Sequence, residues 1–94
     1  MTTVVISHKV GNINKWLKGH QDRVEIFSKF ATGFQTFQDT NDPNSVVLVA
    51  QVFDTDAMQA VMNNPDIIQK IAKEKHTVIE PINVSMPVAV AETV

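Results

Sequence analysis

The chain has 94 residues, a hydrophobic fraction of 44% and a formal net charge of −2, which together suit one globular domain with its own core. The charge is weak and dispersed, which argues against nucleic-acid binding, since that needs a concentrated basic patch. Cysteine is absent, which excludes disulfides, thiol nucleophiles and zinc–thiolate sites.

The first predicted strand covers residues 3–10, where β-branched residues dominate. Because side chains alternate along a strand, one face carries Val4, Ile6, His8 and Val10. Gly11 then breaks the strand, and either Asn12 or Asn14 is a suitable N-cap for the helix that follows.

A long first helix is predicted over about residues 13–31. Mostly apolar residues recur there at steps of three and four, so they share one helix face: Ile13, Trp16, Leu17, His20, Val24, Phe27 and Ala31. Gly19 weakens the helix interior by up to ~1 kcal/mol relative to Ala. Either its backbone closely approaches a strand or a ligand, or the helix merely tolerates it.

Two strands joined by a hairpin are predicted next. Gly33 is a natural helix C-cap, and residues 34–40 are polar enough for a strand at the edge of a sheet. Residues 45–53 instead form a near-continuous apolar run between turn residues, which is typical of a strand covered on both faces. We therefore expect this third strand in the middle of the sheet.

The last part of the chain predicts a second helical region and a fourth strand. Asp54, Thr55 or Asp56 caps the helix, which continues to about residue 75 with a break near Pro65. Residues 77–88 are expected as a strand whose two prolines place it at the sheet margin. Residues 89–94 are expected to be a tail, so that residues 1–94 make a single domain.

The order strand, helix, strand, strand, helix, strand predicts an α+β protein with the ferredoxin-like fold and a four-stranded antiparallel sheet. Right-handed crossovers place the first and third strands in the middle. Two helices cover only one face of this sheet, and the other face exposes apolar side chains. A second copy is the simplest cover, so we expect a homodimer that pairs sheet to sheet through Val5, Phe37, Val47, Val49 and Val84.

With this layout, the chain resembles the dimeric α+β barrel superfamily, which includes the antibiotic-biosynthesis-monooxygenase-like proteins. The resemblance covers about residues 3–88. It rests on the order of the elements, on the hairpin from Gly33 and Phe34 to residues 51–53, and on the step through residues 54–57 into the second helix. It implies βαββαβ protomers that form a dimeric barrel, each holding a small, mostly apolar ligand between helices and sheet.

The implied pocket draws on His8, Trp16, His20, Phe27 and His76. His8 and His20 lie on largely apolar faces, where an imidazole ring needs a polar partner from the protein or from a ligand. Histidine also suits acid–base chemistry near neutral pH. The alternative is a hydrogen-bonded histidine of the core or of the dimer interface, and Trp16 fits a plain core role equally well.

Two activities of the superfamily match the sequence poorly. Haem-degrading members carry an Asn on the first strand, a Trp on the third and a His on the second helix. This chain has His8 on its first strand, no Trp on its third, and only His76 just past the second helix. Quinone-forming monooxygenases use Asn, Trp or Tyr around a polycyclic substrate, whereas this chain has one Trp and no Tyr.

No metal or cofactor is expected. The three histidines are 12 and 56 residues apart, a spacing that matches no compact metal motif. No apolar run approaches the roughly 18 residues of a membrane span, and no signal-peptide pattern begins the chain, so a cytoplasmic protein is expected.

Two functions therefore remain open. The first is a small homodimer that binds a small, mostly apolar molecule without transforming it, or that is simply a stable dimer module. The second is a cofactor-independent, monooxygenase-like enzyme in which His8, His20 or His76 acts as the acid–base group and Trp16 shapes the pocket.

Overall fold

Four antiparallel strands and four helical segments make up residues 1–88, the part of the chain that the computed structural model describes. The strands are β1 (Thr2–Val10), β2 (Ala31–Gln38), β3 (Ser45–Val52) and β4 (Val78–Ser85), and the helices are α1 (Ile13–Lys18), α2 (His20–Phe27), α3 (Thr55–Met62) and α4 (Asp66–Lys75). The sheet order β2-β3-β1-β4 confirms the predicted ferredoxin-like α+β fold, with β1 and β3 in the middle. The predicted tail, residues 89–94, lies outside the described residues.

The helices cover one face of the sheet. Strand β3 alternates strictly, and its helix-facing side chains Val46, Leu48, Ala50 and Val52 are buried. Its other side chains, Val47 and Val49, are half-buried and face away from the helices. The apolar run of β3 is therefore covered by the protein's own helices on one face only.

The open face of the sheet has an apolar centre. Val49 lies opposite Val5 of β1, and Val47 lies opposite Phe37 of β2, so these four side chains share that face. Val84 lies opposite Ile6, which is buried beneath the helices, so Val84 belongs to the helix-covered face at the β4 edge. Its placement on the open face was wrong because a one-residue difference in register reverses the face.

The predicted first helix is two helices that separate at Gly19. Asn12 caps α1 by accepting a hydrogen bond from the Lys15 backbone N–H at 3.1 Å. The break changes the buried face, so that α2 turns Arg23 inward and leaves Val24 37% exposed. The chain then enters β2 at residue 31, three residues before the predicted strand, and Gly33 lies inside that strand at a register shift rather than at a helix C-cap.

The second helical region breaks near Pro65, as predicted, but its second half is a π-helix. Asp54 caps α3 by accepting from the Ala57 N–H at 2.9 Å. At the end of α4, the His76 N–H donates to the Ile71 carbonyl five residues back, at 2.9 Å. Within residues 1–88, no helix is long and apolar enough to span a membrane.

Candidate functional site

A cavity of about 70 Å³ lies between the sheet and helices α2, α3 and α4. Its walls are mostly aliphatic, and α4 contributes Ile67, Ile68, Ile71 and Ala72. None of the α4 side chains is fully buried, although Ile67 and Ala72 pack against the hydrophobic core. A space remains beneath this helix.

Four of the five residues predicted to form a pocket line this cavity. They are His8, Trp16, Phe27 and His76. His20 does not reach it, because the helix break at Gly19 leaves its ring exposed, where it packs against Phe34 with the ring centroids 5.5 Å apart. A binding role for the four remaining residues stays a prediction.

Strand alternation carries His8 inward beside Val4, Ile6 and Val10. Its Nδ1 lies 3.1 Å from the Lys9 carbonyl oxygen, and its ring meets Trp16 edge-on with the centroids 5.8 Å apart. Burial lowers the pKa of His8 below its ordinary value, and the nearby Arg23 cation lowers it further. A neutral ring whose Nδ1–H donates to the carbonyl leaves Nε2 as a bare acceptor, since only one ring nitrogen then carries a proton.

His76 lines the cavity at the end of α4 and is held by a carboxylate. Its Nε2 lies 3.0 Å from Asp22 Oδ2, which the Lys75 ammonium also contacts at 2.8 Å. The pKa of Asp22 is lowered most by the hydrogen bond from Lys75 and next by the hydrogen bond from His76. Burial lowers the pKa of His76, although its hydrogen bond to Asp22 partly opposes that effect. The neutral ring therefore donates through Nε2 to Asp22.

The backbone after His76 is tied to the turn between β1 and α1. Thr77 has φ 60°, an uncommon left-handed conformation for a β-branched residue. Its hydroxyl accepts from the Asn12 N–H at 3.0 Å, and its carbonyl accepts from the Gly11 N–H at 2.8 Å. These bonds hold the Thr77 conformation and, with it, the inward direction of the His76 ring.

Arg23 is the cavity residue that the sequence did not single out. It is 6% exposed, and its Cζ lies 3.9 Å from the centroid of the Trp16 ring. Its Nη2–H donates to the Trp16 backbone carbonyl. Burial lowers the pKa of Arg23 to about 10, so the side chain is still a cation at neutral pH. No local pattern indicated its burial, because the helix break at Gly19 changes which side chains face inward.

The cavity thus combines an apolar wall, one buried cation and two neutral imidazoles. Among residues 1–88, no group of three or more His, Cys, Asp or Glu side chains is arranged to hold a metal ion. The arrangement can take up an apolar molecule, attract negative charge at Arg23 and accept a proton at His8 Nε2.

Known structures with this fold cover nearly the whole chain, whereas no protein-family model and no curated protein matches its sequence. An antibiotic biosynthesis monooxygenase has a TM-score of 0.68 and 17% identity, over 97% of this chain and 100% of its own. SnoaB, a cofactor-independent oxygenase from Streptomyces nogalater, has a TM-score of 0.68 and 14% identity, over 97% and 94%. PA3566 from Pseudomonas aeruginosa has a TM-score of 0.65 and 12% identity, over 96% and 94%.

At 12–17% identity, the structural similarity shows a shared fold and no further property. The element order, the sheet order and the full-length coverage all agree with the resemblance that the sequence predicts. The chain therefore has the α+β fold of the antibiotic biosynthesis monooxygenase-like proteins.

Proposed function

We propose that this protein is a homodimer that binds a small, mostly apolar molecule in the cavity between its helices and its sheet. The cavity itself carries the proposal. Protein interiors leave few voids larger than a water molecule. One water needs only about 10–15 Å³ when the volume counted is the space open to a water-sized sphere. A cavity of about 70 Å³ with mostly aliphatic walls is several times larger, so an apolar occupant would restore contacts that its lining lacks.

The volume limits the size of the occupant. An apolar cavity of about 150 Å³ takes up benzene, so a cavity of about 70 Å³ suits a molecule of fewer carbon atoms. Helix α4 has no fully buried side chain, so an outward shift of this helix withdraws none of its own side chains from full burial. A ligand with one aromatic ring would enter with such a shift.

The homodimer is the second part of the proposal. It rests on the open face of the sheet, where Val5, Val47, Val49 and the 49% exposed Phe37 lie together. Packing this apolar centre against a second copy removes it from water. In a two-fold dimer, one interface buries the same surface of both copies. A cytoplasmic location stays a prediction from the composition.

Filling the cavity from its wall is expected to prevent ligand binding. Ala72→Leu adds three carbon atoms to the inner side of α4, directly at the cavity. We expect wild-type protein purified from a rich expression host to carry a small molecule in native mass spectrometry, and Ala72→Leu to lose most of that added mass. The variant should keep its stability within about 1–3 kcal/mol, the usual range for a larger side chain in a core.

Gln69→Leu is the matched control, because it adds a leucine to the exposed side of the same helix. This variant should retain the small molecule as wild type does. The proposal would be wrong if wild type carries no added mass and none of a panel of small carboxylic acids, amides and hydrocarbons raises its melting temperature.

A cofactor-independent oxygenase is the second candidate, and His8 favours it. An unprotonated ring nitrogen at an apolar cavity can remove a proton from a substrate CH₂ group activated by a neighbouring carbonyl. Reaction of the resulting carbanion with O₂ gives C=O in place of CH₂, and the second oxygen atom leaves as water. The small cavity volume disfavours the polycyclic substrates of such enzymes, so we rank this candidate second.

Oxygen uptake separates the two candidates. With phenylacetone, a ketone with one aromatic ring and an activated CH₂ group, the binding protein consumes no O₂ above the uncatalysed rate. An oxygenase that uses His8 would consume one O₂ per phenylacetone, and His8→Gln would lower the rate about 10²–10⁴-fold, the usual contribution of a general base.

A further inference from the structure

Two of the side chains that line the cavity carry buried N–H groups that have no acceptor. These are the indole Nε1 of Trp16 and the Nε and Nη1 of Arg23, within the part of the chain that the structure describes. Both side chains line the cavity, and they are 1% and 6% exposed. Native proteins leave only a few buried polar groups unsatisfied, so three such nitrogens on two stacked side chains need an explanation.

Among the described residues, no carboxylate contacts the Arg23 cation, although the charge of Asp22 partly opposes the lowering of the Arg23 pKa. Inside residues 1–88, no carboxylate lies within ion-pair distance of Arg23, and its side chain makes one hydrogen bond, to the Trp16 carbonyl. The neighbouring Asp22 carboxylate is instead taken by His76 and Lys75. A buried cation without a partner is costly, and stacking on Trp16 offsets only part of that cost.

We propose that the ligand carries an anionic oxygen, as a carboxylate or an ionised phenol or enol, which accepts hydrogen bonds from the Arg23 guanidinium and the Trp16 indole N–H. The rest of the molecule is apolar and lies along the aliphatic side chains of α4. This inference rests on the proposed small-molecule function and adds the chemical class of the ligand to it.

The other polar groups of the cavity favour an anion over a neutral or cationic ligand. His8 and His76 both line the cavity as neutral rings, so neither adds a charge of its own. Arg23 is therefore the side chain that gives the cavity lining its net positive charge. In an apolar environment, hydrogen bonds to a charged acceptor are shorter and about twice as strong as neutral ones.

The test compares acids with neutral molecules of the same shape. The probes are isobutyrate with isobutyramide and benzoate with benzamide, each titrated into the protein and followed by calorimetry. Trp16 is the only tryptophan, so its indole ¹H–¹⁵N signal reports contact with the ligand directly. We expect each acid to bind at least tenfold more tightly than its amide and to shift the indole signal.

Arg23→Met and Arg23→Lys separate charge from shape. Arg23→Met should lose at least tenfold in affinity for the acids while its affinity for the amides changes less than twofold. Arg23→Lys keeps the charge and should retain part of the preference. Ligand-free Arg23→Met should melt no lower than wild type, because it removes a buried unpaired charge, and this melting curve also shows that the variant is folded.

The outcomes separate this inference from the proposed function. If acids and amides bind equally well to wild type and to Arg23→Met, the proposal of an anionic ligand is overturned. The proposed small-molecule binding then still stands. Identification of a molecule retained from the expression host also tests the inference. An acid supports it, and a molecule without an ionisable oxygen overturns it. Absence of any binding, with nothing retained, overturns the proposed function itself.

Discussion

The Val47→Asp protein is expected to be a monomer under conditions in which the wild type is a dimer. Val47 lies in the middle of the open sheet face, opposite Ser7 of β1 and Phe37 of β2. A carboxylate at this place would be buried in the dimer interface without a partner, and a two-fold axis introduces it twice. Breaking such an interface costs several kcal/mol, and each 1.4 kcal/mol is about tenfold in affinity, so the dissociation constant should rise at least 100-fold.

Sedimentation velocity measures this change, and circular dichroism checks the fold. In the monomer, the new carboxylate faces water, so the loss of stability should stay near the ~1 kcal/mol range of strand propensities. Val49→Asp should behave like Val47→Asp, because residues two apart in a strand share a face. Gln59→Asp adds the same charge to the exposed side of α3 and should leave the dimer intact. Two folded, dimeric sheet variants would contradict the sheet-to-sheet homodimer.

The fold was predictable because local patterns and global topology agree. The strong alternation of residues 3–10 and the apolar run at residues 45–53 identified the two central strands, and the prolines after residue 80 marked an edge. The first helix was less predictable, since a periodic pattern does not show that Gly19 ends one helix and starts another. That break moves Arg23 to the inside and His20 to the outside.

The candidate site was predictable only in part, for the same reason. His8 followed from strand alternation, and Trp16 followed from the first helical turns before the break. Arg23 was missed because charged residues are almost never fully buried, so propensity assigns an arginine to the surface. Its burial depends on stacking against Trp16 and on the unfilled space below α4, and both are tertiary properties that no local pattern contains.

Gly19→Ala is expected to destabilise the protein, although alanine is the better helix former. The backbone at Gly19, with φ −81° and ψ 7°, lies between two helices and is open to any residue, so the lower entropy of the unfolded chain alone would favour alanine by up to ~1 kcal/mol. A Cβ there, however, would lie only 2.5 Å from Nε2 of the His76 ring. The ring must move, which breaks its hydrogen bond to Asp22 and leaves a buried polar group unpaired. Overpacking and the lost partner each cost about 1–3 kcal/mol, and alanine gains up to ~1 kcal/mol, so we expect a net loss of about 1–5 kcal/mol in urea unfolding.

A double-mutant cycle with His76→Ala tests this cause directly. If the His76 ring is the obstacle, Gly19→Ala should be neutral or stabilising once the ring is gone, since only the lower entropy of the unfolded alanine chain then remains. Gly33→Ala is the control, because nothing lies within 4 Å of a Cβ at that position, and its effect should stay below about 1 kcal/mol. If Gly19→Ala still lowers the free energy of unfolding in the His76→Ala background, the His76 ring is not the reason that position 19 requires glycine. It would also mean that the absence of a Cβ at Gly19 is not what allows the His76 ring to point into the cavity.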